Sequence, residues 1–266
     1  MAYLLMTYFG QQGRREAQKL LERNAQDGDR LLGAFNRPMP HWLDFYCYTM
    51  FVDRDGKFQL GMLSTSAFKP LAASMGPMLK EESFHLGTGS NGLRRVIKAG
   101  VIPLDLLQRY INKWVSTAHD LFGVDASSSA HWSYVWGVKG RWDERKKLEA
   151  GLEVDKETLN EEARGHYHDE IVGEVEKLCG YLPEGATKLY VPHENFQRSI
   201  GAFKNKRCTV EGDLFTGSDE EWDAYMHDHF ARPEDEATLK ELFKQEWVAD
   251  KPLSPRLIAS GIGGKA

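Results

Sequence analysis

Residues 78–86 read Met-Leu-Lys-Glu-Glu-Ser-Phe-His-Leu, and this stretch decides how the chain is interpreted. It contains neither proline nor glycine, so we predict a helix on which Glu82 and His85, three residues apart, project from one face. The apolar residues that precede them at helical spacing, and that indicate an inward face, are Leu71, Met75 and Met78. Because burying an unpaired charge is costly, a carboxylate and an imidazole on such a face require a counter-charge or a metal ion.

Residues 41–53 offer a partner for this pair. They read His-Trp-Leu-Asp-Phe-Tyr-Cys-Tyr-Thr-Met-Phe-Val-Asp and are apolar nearly all round, which is typical of a buried helix. Their β-branched and aromatic side chains would also permit a strand, but the length of the run and the helical spacing that continues to Ser66 favour a helix. Asp53 lies at the end of the run. Most aspartates near helices are solvated or cap a helix end, so a cap and a buried ligand both remain open for Asp53.

Together these two segments predict a metal site formed by Asp53, Glu82 and His85. Two antiparallel helices joined by a short turn can bring the three side chains to one depth in a bundle. Carboxylate oxygens with an imidazole suit iron or manganese better than a thiolate-selecting metal. Such a set is half of a carboxylate-bridged di-iron site, which needs another carboxylate and another Glu-x-x-His from two further helices. The sequence contains no second Glu-x-x-His on an apolar face.

Residues 87–92, Gly-Thr-Gly-Ser-Asn-Gly, formally match the dinucleotide-binding fingerprint. We reject this interpretation because the preceding segment is helical and no βαβ unit surrounds it. The glycines are better explained by the close approach of another element or of a ligand.

A second group of metal-ligand residue types lies at residues 166–170, His-Tyr-His-Asp-Glu, where His166 and Glu170 share a helix face. The surrounding segment is dense in charge, and we see no apolar stripe in it. We therefore predict an exposed helix with solvated charges here and no metal site.

Composition excludes several classes of protein. The 266 residues are 41% hydrophobic with a formal net charge of −5, so the chain has no overall attraction to nucleic acid or anionic membranes. No apolar run approaches the roughly 18 residues that a membrane span needs. Cys47, Cys179 and Cys208 form no Cys-x-x-Cys pair, which favours a reducing, cytoplasmic location.

The character of the chain changes beyond Pro183. Residues 188–192 look extended, residues 207–213 look like a short hairpin, and residues 219–230 and 234–248 are typical of surface helices. Residues 258–266 are glycine-rich, and we expect them to be loose. We predict two domains, a helical bundle portion over 1–180 and a C-terminal extension with short strands and surface helices over 181–266.

Six short segments occur in an order that resembles one known family. These are residues 51–60, 81–85, 109–110, 120–123, 139–141 and 191–193. They resemble the oxygenase component of benzoyl-CoA 2,3-epoxidase, which is related to the phenylacetyl-CoA epoxidase oxygenases. The resemblance runs from Tyr3 to about Gly201 and then weakens, and its first two segments are specific.

The resemblance implies a mainly α fold, namely part of a ferritin-like helical bundle with a C-terminal α/β-irregular extension. It implies a non-haem di-iron centre that activates O2 and inserts one oxygen atom into the aromatic ring of an acyl-CoA. Electrons come from NADPH through a separate flavin and iron–sulfur reductase. By position, Asp53, Glu82 and His85 match iron ligands of the family, and Glu81 is expected either to support them or to be solvated.

One departure from the family concerns the missing ligands, which lie upstream of the segment that residues 1–9 resemble. Residues 1–9 are apolar from the start and carry no capping residue, as in a helix entered midway. Two explanations remain, a fragment of a longer oxygenase, which we favour, and a missing half supplied by another chain. In both cases we expect the chain alone to be inactive, without a two-iron centre.

Other functions remain open at this point. The same fold would serve a di-iron N-oxygenase or an oxidase of a free aromatic acid. A non-catalytic ferritin-like partner subunit of a full-length oxygenase is a third possibility, although such a subunit has no need of buried charged ligands.

Overall fold

The computed structural model describes residues 2–22, 33–154 and 157–243, and over this part the chain is mainly α-helical. Its helices are α1 (Ala2–Tyr8), α2 (Gly10–Glu22), α3 (Trp42–Cys47), α4 (Asp53–Ser64), α5 (Lys69–Ala99), α6 (Leu104–Leu121), α7 (Ser128–Val135), α8 (Glu144–Glu149), α9 (Leu159–Cys179), α10 (Asp219–His229) and α11 (Pro233–Phe243). A 3₁₀ turn occupies Gly33–Asn36, and a π-helical turn, Tyr48–Val52, joins α3 to α4.

The α3–π–α4 unit is one continuous helical segment, which confirms the prediction of a helix over a strand. It packs along α5, to which a short loop connects it. The two helices run antiparallel, because Tyr46 faces Gly92, Met50 faces Gly89 and Gly56 faces Glu82. At the loop end, an apolar cluster closes the interface; its buried members are Leu60, Leu71 and Met75.

Helix α5 is unusually long and accommodates residues that commonly end helices. Pro70 lies in its first turn, as expected from the missing N–H of proline, and the helix continues through Pro77. The segment 87–92 is helical as well, so the rejection of a dinucleotide-binding loop is confirmed. The helix ends at Gly100, whose φ of 65° provides the left-handed cap.

Helices α6 and α9 supply much of the core. On α6 the buried apolar residues are Leu106, Leu107, Tyr110, Ile111, Trp114, Val115 and Ala118, and on α9 they are Leu159, Ala163, Tyr167, Ile171, Val175 and Leu178. The prediction of an exposed helix around residues 166–170 is therefore wrong. Its apolar residues recur mostly at every fourth position, and the charged residues between them conceal a stripe that is continuous on the helix surface.

The expected short strands of the C-terminal extension reduce to one antiparallel bridge between Cys208 and Leu214, the only β-pairing among the described residues. The bridge closes the hairpin predicted at 207–213, with a hydrogen bond from Thr209 N to Asp213 O of 2.8 Å. Two further backbone hydrogen bonds hold the hairpin, from Phe215 N to Arg207 O at 2.9 Å and from His193 N to Val210 O at 2.8 Å, without forming a named strand. Segment 188–192 is neither helix nor strand, and it contacts α6 through a hydrogen bond from Tyr190 N to Gln108 Oε1 of 2.9 Å.

Helices α10 and α11 lie where surface helices were predicted. Residues 244–248 and 258–266, of which the sequence made further predictions, lie outside the described residues. Backbone contacts divide the chain into the units Met1–Ala231 and Arg232–Ala266, and the domain division at residue 180 stays a prediction. In the part of the chain that the structure describes, no helix combines the length and apolarity needed to cross a membrane.

Candidate metal centre

The three predicted ligands meet between α4 and α5. Asp53 is the first residue of α4, and Glu82 and His85 lie one turn apart on α5. His85 Nδ1 is 3.5 Å from Glu82 Oε2 and 3.8 Å from Asp53 Oδ2, and one ligand atom from each residue falls within 4.8 Å of the others. Among the described residues this is the one cluster of three or more histidine, cysteine or carboxylate side chains with such spacing.

The site is less enclosed than the sequence predicted. The side chains of Asp53 and Glu82 are 18% and 20% exposed, but that of His85 is 54% exposed. Met78 and Phe84 on the same helix are also exposed, so the buried series of Leu71 and Met75 does not continue at Met78. The apolar residues of α5 therefore share a face that other described residues cover only in part.

The two carboxylates are poorly compensated. Burial and the neighbouring Glu82 raise the pKa of Asp53 to about 7, although His85 opposes the shift. Burial also raises the pKa of Glu82, again against the influence of His85. Glu82 Oε2 is buried and accepts no hydrogen bond from the described residues. Two adjacent, partly desolvated carboxylates with an unsatisfied oxygen are the electrostatic setting that a bound cation would relieve.

Tyr48 was not predicted, yet it belongs to the surroundings of the site. Burial raises the pKa of its phenol, and the nearby carboxylates of Asp53 and Glu82 raise it further. Its ring packs edge-on against Trp114 of α6, with ring centroids 5.3 Å apart. The phenol is thus a neutral polar group beside the two carboxylates. The apolar pattern of residues 41–53 could not distinguish such a tyrosine from one that only packs in the core.

Two glycines of α5 permit the close packing that brings the helices together. A Cβ atom at Gly89 would collide with the backbone of Met50, and one at Gly92 would collide with the ring of Tyr46. The interpretation of residues 87–92 as a close-approach segment is therefore confirmed at these two positions. At Gly87, by contrast, a Cβ atom would meet open space.

Two of the metal-ligand residue types at 166–170, Glu170 and His166, have other partners. Glu170 pairs with Lys57 at 2.6 Å and also with the buried Arg54, and although burial opposes it, these two partners lower the pKa of Glu170. His166 packs against the ring of Trp142. Glu170 thus neutralises Arg54 and Lys57 of α4. Sequence reasoning missed that the buried Arg54, which follows Asp53, needs a charged partner, and Glu170 is that partner.

A cavity of about 720 Å³ lies elsewhere, between the end of α6, α7, the start of α9 and residues 194–203. None of Asp53, Glu82 and His85 lines it. Its two arginines already have partners, since Arg164 pairs with Glu194 at 2.8 Å and Arg198 with Asp120 at 2.6 Å. The cavity is therefore separate from the metal cluster.

The fold and the site define a class, a ferritin-like helical protein in which two antiparallel helices present two carboxylates and one histidine at one point. Residues 1–201 match the family described as phenylacetic acid catabolic protein. The chain is also 36% identical over 272 residues to benzoyl-CoA oxygenase component B of Aromatoleum evansii, an alignment that covers 86% of this chain. The chain belongs to the phenylacetic acid catabolic protein family, and the prediction of a mainly α, ferritin-like bundle is confirmed. It spans 56% of the length of that relative.

Proposed function

We propose that this chain forms part of a non-haem di-iron oxygenase and that Asp53, Glu82 and His85 bind iron. The observation that carries the proposal is the convergence of the three ligand atoms within 4.8 Å around a buried, unsatisfied oxygen of Glu82. Two carboxylate oxygens and an imidazole nitrogen are a donor set that suits iron. Bound iron would also neutralise these two carboxylates, of which Glu82 raises the pKa of Asp53.

The substrate that we propose is an aromatic acyl-CoA such as benzoyl-CoA. Support comes from the relative in Aromatoleum evansii, whose name specifies a benzoyl-CoA oxygenase. Iron in such a site would supply the activation of O2 from which one oxygen atom enters the aromatic ring. The words "component B" in the same name describe a multicomponent system, and we propose that a separate flavin and iron–sulfur reductase delivers electrons from NADPH.

The chain's own residues hold the ligands and shield them on one side. The close contact of α3–π–α4 with α5 places Asp53 against Glu82. Tyr48, whose ring packs edge-on against Trp114, lies beside the two carboxylates, and His85 is the most exposed of the three side chains. A cytoplasmic location stays a prediction; it is compatible with three cysteines that form no disulfide.

The second half of the site is proposed to come from helices outside the described residues. A di-iron site of this class uses a carboxylate from each of two helices and a Glu-x-x-His from each of two others. The described residues contribute one of each, and the open face around Met78, Phe84 and His85 is where further helices would pack. We therefore expect the chain alone to bind fewer than two irons and to lack oxygenase activity.

Anaerobic metal titration of the purified chain tests this proposal. Glu82→Gln removes a ligand and is expected to weaken Fe(II) binding by more than about tenfold, on the scale of changes at metal sites. Glu81→Gln is the matched control, because it removes an equal charge from the exposed neighbouring residue. Equal affinities of the Glu82 and Glu81 variants would contradict the assignment of the ligands. Two irons per chain with oxygenase activity would contradict the half-site.

The other functions are less well supported. An N-oxygenase or an oxidase of a free acid would need a substrate without CoA, whereas the named relative acts on benzoyl-CoA. A non-catalytic partner subunit would not need the three convergent ligands that the structure contains. Comparing turnover of benzoyl-CoA and benzoate by the fully assembled oxygenase would decide among them.

A further inference from the structure

The π-helical turn Tyr48–Val52 lies directly before Asp53. Its last hydrogen bond runs from Asp53 N to Tyr48 O, five residues back, instead of the four of an α-helix. One extra residue is thereby accommodated in the turn. Because an α-helix rotates by about 100° per residue, this extra residue changes the direction in which Asp53 projects relative to α3. The register of one metal ligand thus depends on a wide turn that the local sequence does not demand.

Two side-chain donors form hydrogen bonds with carbonyl groups of the turn. Tyr167 of α9 is fully buried, and its hydroxyl donates to Phe51 O at 3.1 Å. Arg54 Nε donates to Met50 O at 3.2 Å, and the guanidinium is in turn held by Glu170 of α9. Carbonyl groups of the wide turn therefore have partners on α9 and α4. A side chain that inserts into the backbone hydrogen-bond ladder is a known cause of local departures from α-helical geometry.

Gly89 supports the turn from the α5 side. A side chain at this position would overlap Met50 N and Thr49 Oγ1. Thr49 itself donates to Phe45 O of α3 at 3.0 Å, which links the turn to the preceding helix. The π-turn thus contacts Gly89 of α5 and accepts a hydrogen bond from the Tyr167 hydroxyl of α9.

We propose that Tyr167 is a positioning residue for the metal site, which holds the π-turn in the register that aims Asp53 at Glu82 and His85. The inference rests on the proposed function of these three residues as metal ligands. Tyr167 touches none of them; it acts through the Phe51 carbonyl, two residues before Asp53. Loss of its hydroxyl leaves that carbonyl buried without its donor and removes one of the supports of the turn.

The test measures binding of Co(II) as a spectroscopic probe, together with unfolding of the metal-free chain. Tyr167→Phe is expected to weaken Co(II) binding about tenfold and to alter its visible absorption spectrum, as loss of a supporting hydrogen bond does at metal sites. The control is Tyr110→Phe, which removes an equally buried hydroxyl whose partner is His41 Nε2 at 2.9 Å. It is expected to leave affinity and spectrum unchanged.

A second pair of variants approaches the turn from the other helix, in case Tyr167→Phe fails to fold. Gly89→Ala is expected to displace the π-turn and to change the Co(II) spectrum. Gly87→Ala adds a methyl group in open space on the same helix and is expected to bind Co(II) as the parent does.

Each outcome has one meaning. An unchanged spectrum and affinity in both Tyr167→Phe and Gly89→Ala would overturn the inference, and so would equal losses in all four variants. Failure of the parent chain to bind Co(II), or undiminished binding by Asp53→Ala, would instead overturn the metal site itself. The inference and the proposed function can therefore fail separately.

Discussion

His119 of α6 and His168 of α9 stack with ring centroids 5.4 Å apart, and His119 Nε2 lies 3.4 Å from His168 Nδ1. Burial lowers the pKa of His119 well below its ordinary value, and His168 and Arg198 lower it further. Burial likewise lowers the pKa of His168, although Glu194 opposes the shift. The two main core helices are thus joined by a pair of histidines that are neutral when the protein is folded.

This pair predicts loss of stability in mild acid. In the unfolded chain a histidine binds a proton below about pH 6.5, while the folded pair resists protonation, so the unfolded state binds more protons. The free energy of unfolding therefore keeps its full value above about pH 6.5. Below that pH it falls, by up to about 1.4 kcal/mol per pH unit for one histidine. Urea unfolding between pH 5 and 8 measures the slope.

His119→Phe keeps a ring in the core and removes the titrating group, so it should flatten this slope. His227→Gln is the control, because that histidine is largely exposed. If the slopes of the parent and of His119→Phe are the same, His119 is not the source of the acid sensitivity.

A second prediction concerns the charge cluster between α4 and α9. Glu170→Gln leaves the buried Arg54 with Glu174, at 3.7 Å, as its carboxylate partner and should lower the free energy of unfolding by about 2 kcal/mol, less than for a fully buried pair. Glu176→Gln on the same helix removes an exposed charge and should change it by less than about 0.5 kcal/mol. Chemical denaturation of both variants is the measurement, and a cost shared equally by the two would show that the cluster contributes no specific stability.

Gly92→Ala tests how closely the Tyr46 ring packs against α5. The added methyl group would overlap the Tyr46 ring, so we expect a loss of about 1–3 kcal/mol from overpacking. Gly87→Ala lies on the same helix in open space and should instead stabilise by up to about 1 kcal/mol through higher helix propensity. Thermal unfolding gives both values, and Gly92→Ala behaving like Gly87→Ala would mean that the two helices are not in close contact there.

Metal binding should stabilise the fold by mass action. At a Mn(II) concentration one hundred times the dissociation constant, the gain is about 2.7 kcal/mol if the unfolded chain does not bind. His85→Ala removes one ligand and should abolish most of this gain, whereas His131→Ala, outside the cluster, should retain it. Melting curves with and without Mn(II) provide the comparison, and a gain that survives in His85→Ala would point to metal binding elsewhere.

The sequence predicted the helices and the ligand cluster because both depend on local spacing. Glu82 and His85 lie three apart on any helix, and the buried run ending at Asp53 needs only a short loop to face them. The π-turn was not predicted because residues 48–52 lie in a run that is apolar nearly all round. In such a run, a change from α-helical to π-helical period does not alter the pattern of apolar residues. The buried stripe of α9 escaped for the opposite reason, since charged residues that pair with α4 fill the gaps between its apolar positions.

The exposure of the α5 face could not be read from spacing either. Met78 continues the apolar series of Leu71 and Met75, yet it is exposed where they are buried. Spacing identifies which residues share a face, but what covers that face depends on tertiary neighbours that the pattern does not contain.

The graded exposure of the three ligands has a consequence for how metal ions come and go. His85 is the outermost of the three, and the two carboxylates lie behind it. If the three residues bind a metal as proposed, His85 would meet an ion arriving from solvent before the two carboxylates do. In this chain the rate of metal exchange should be governed by release of individual ligands and should be far faster than global unfolding.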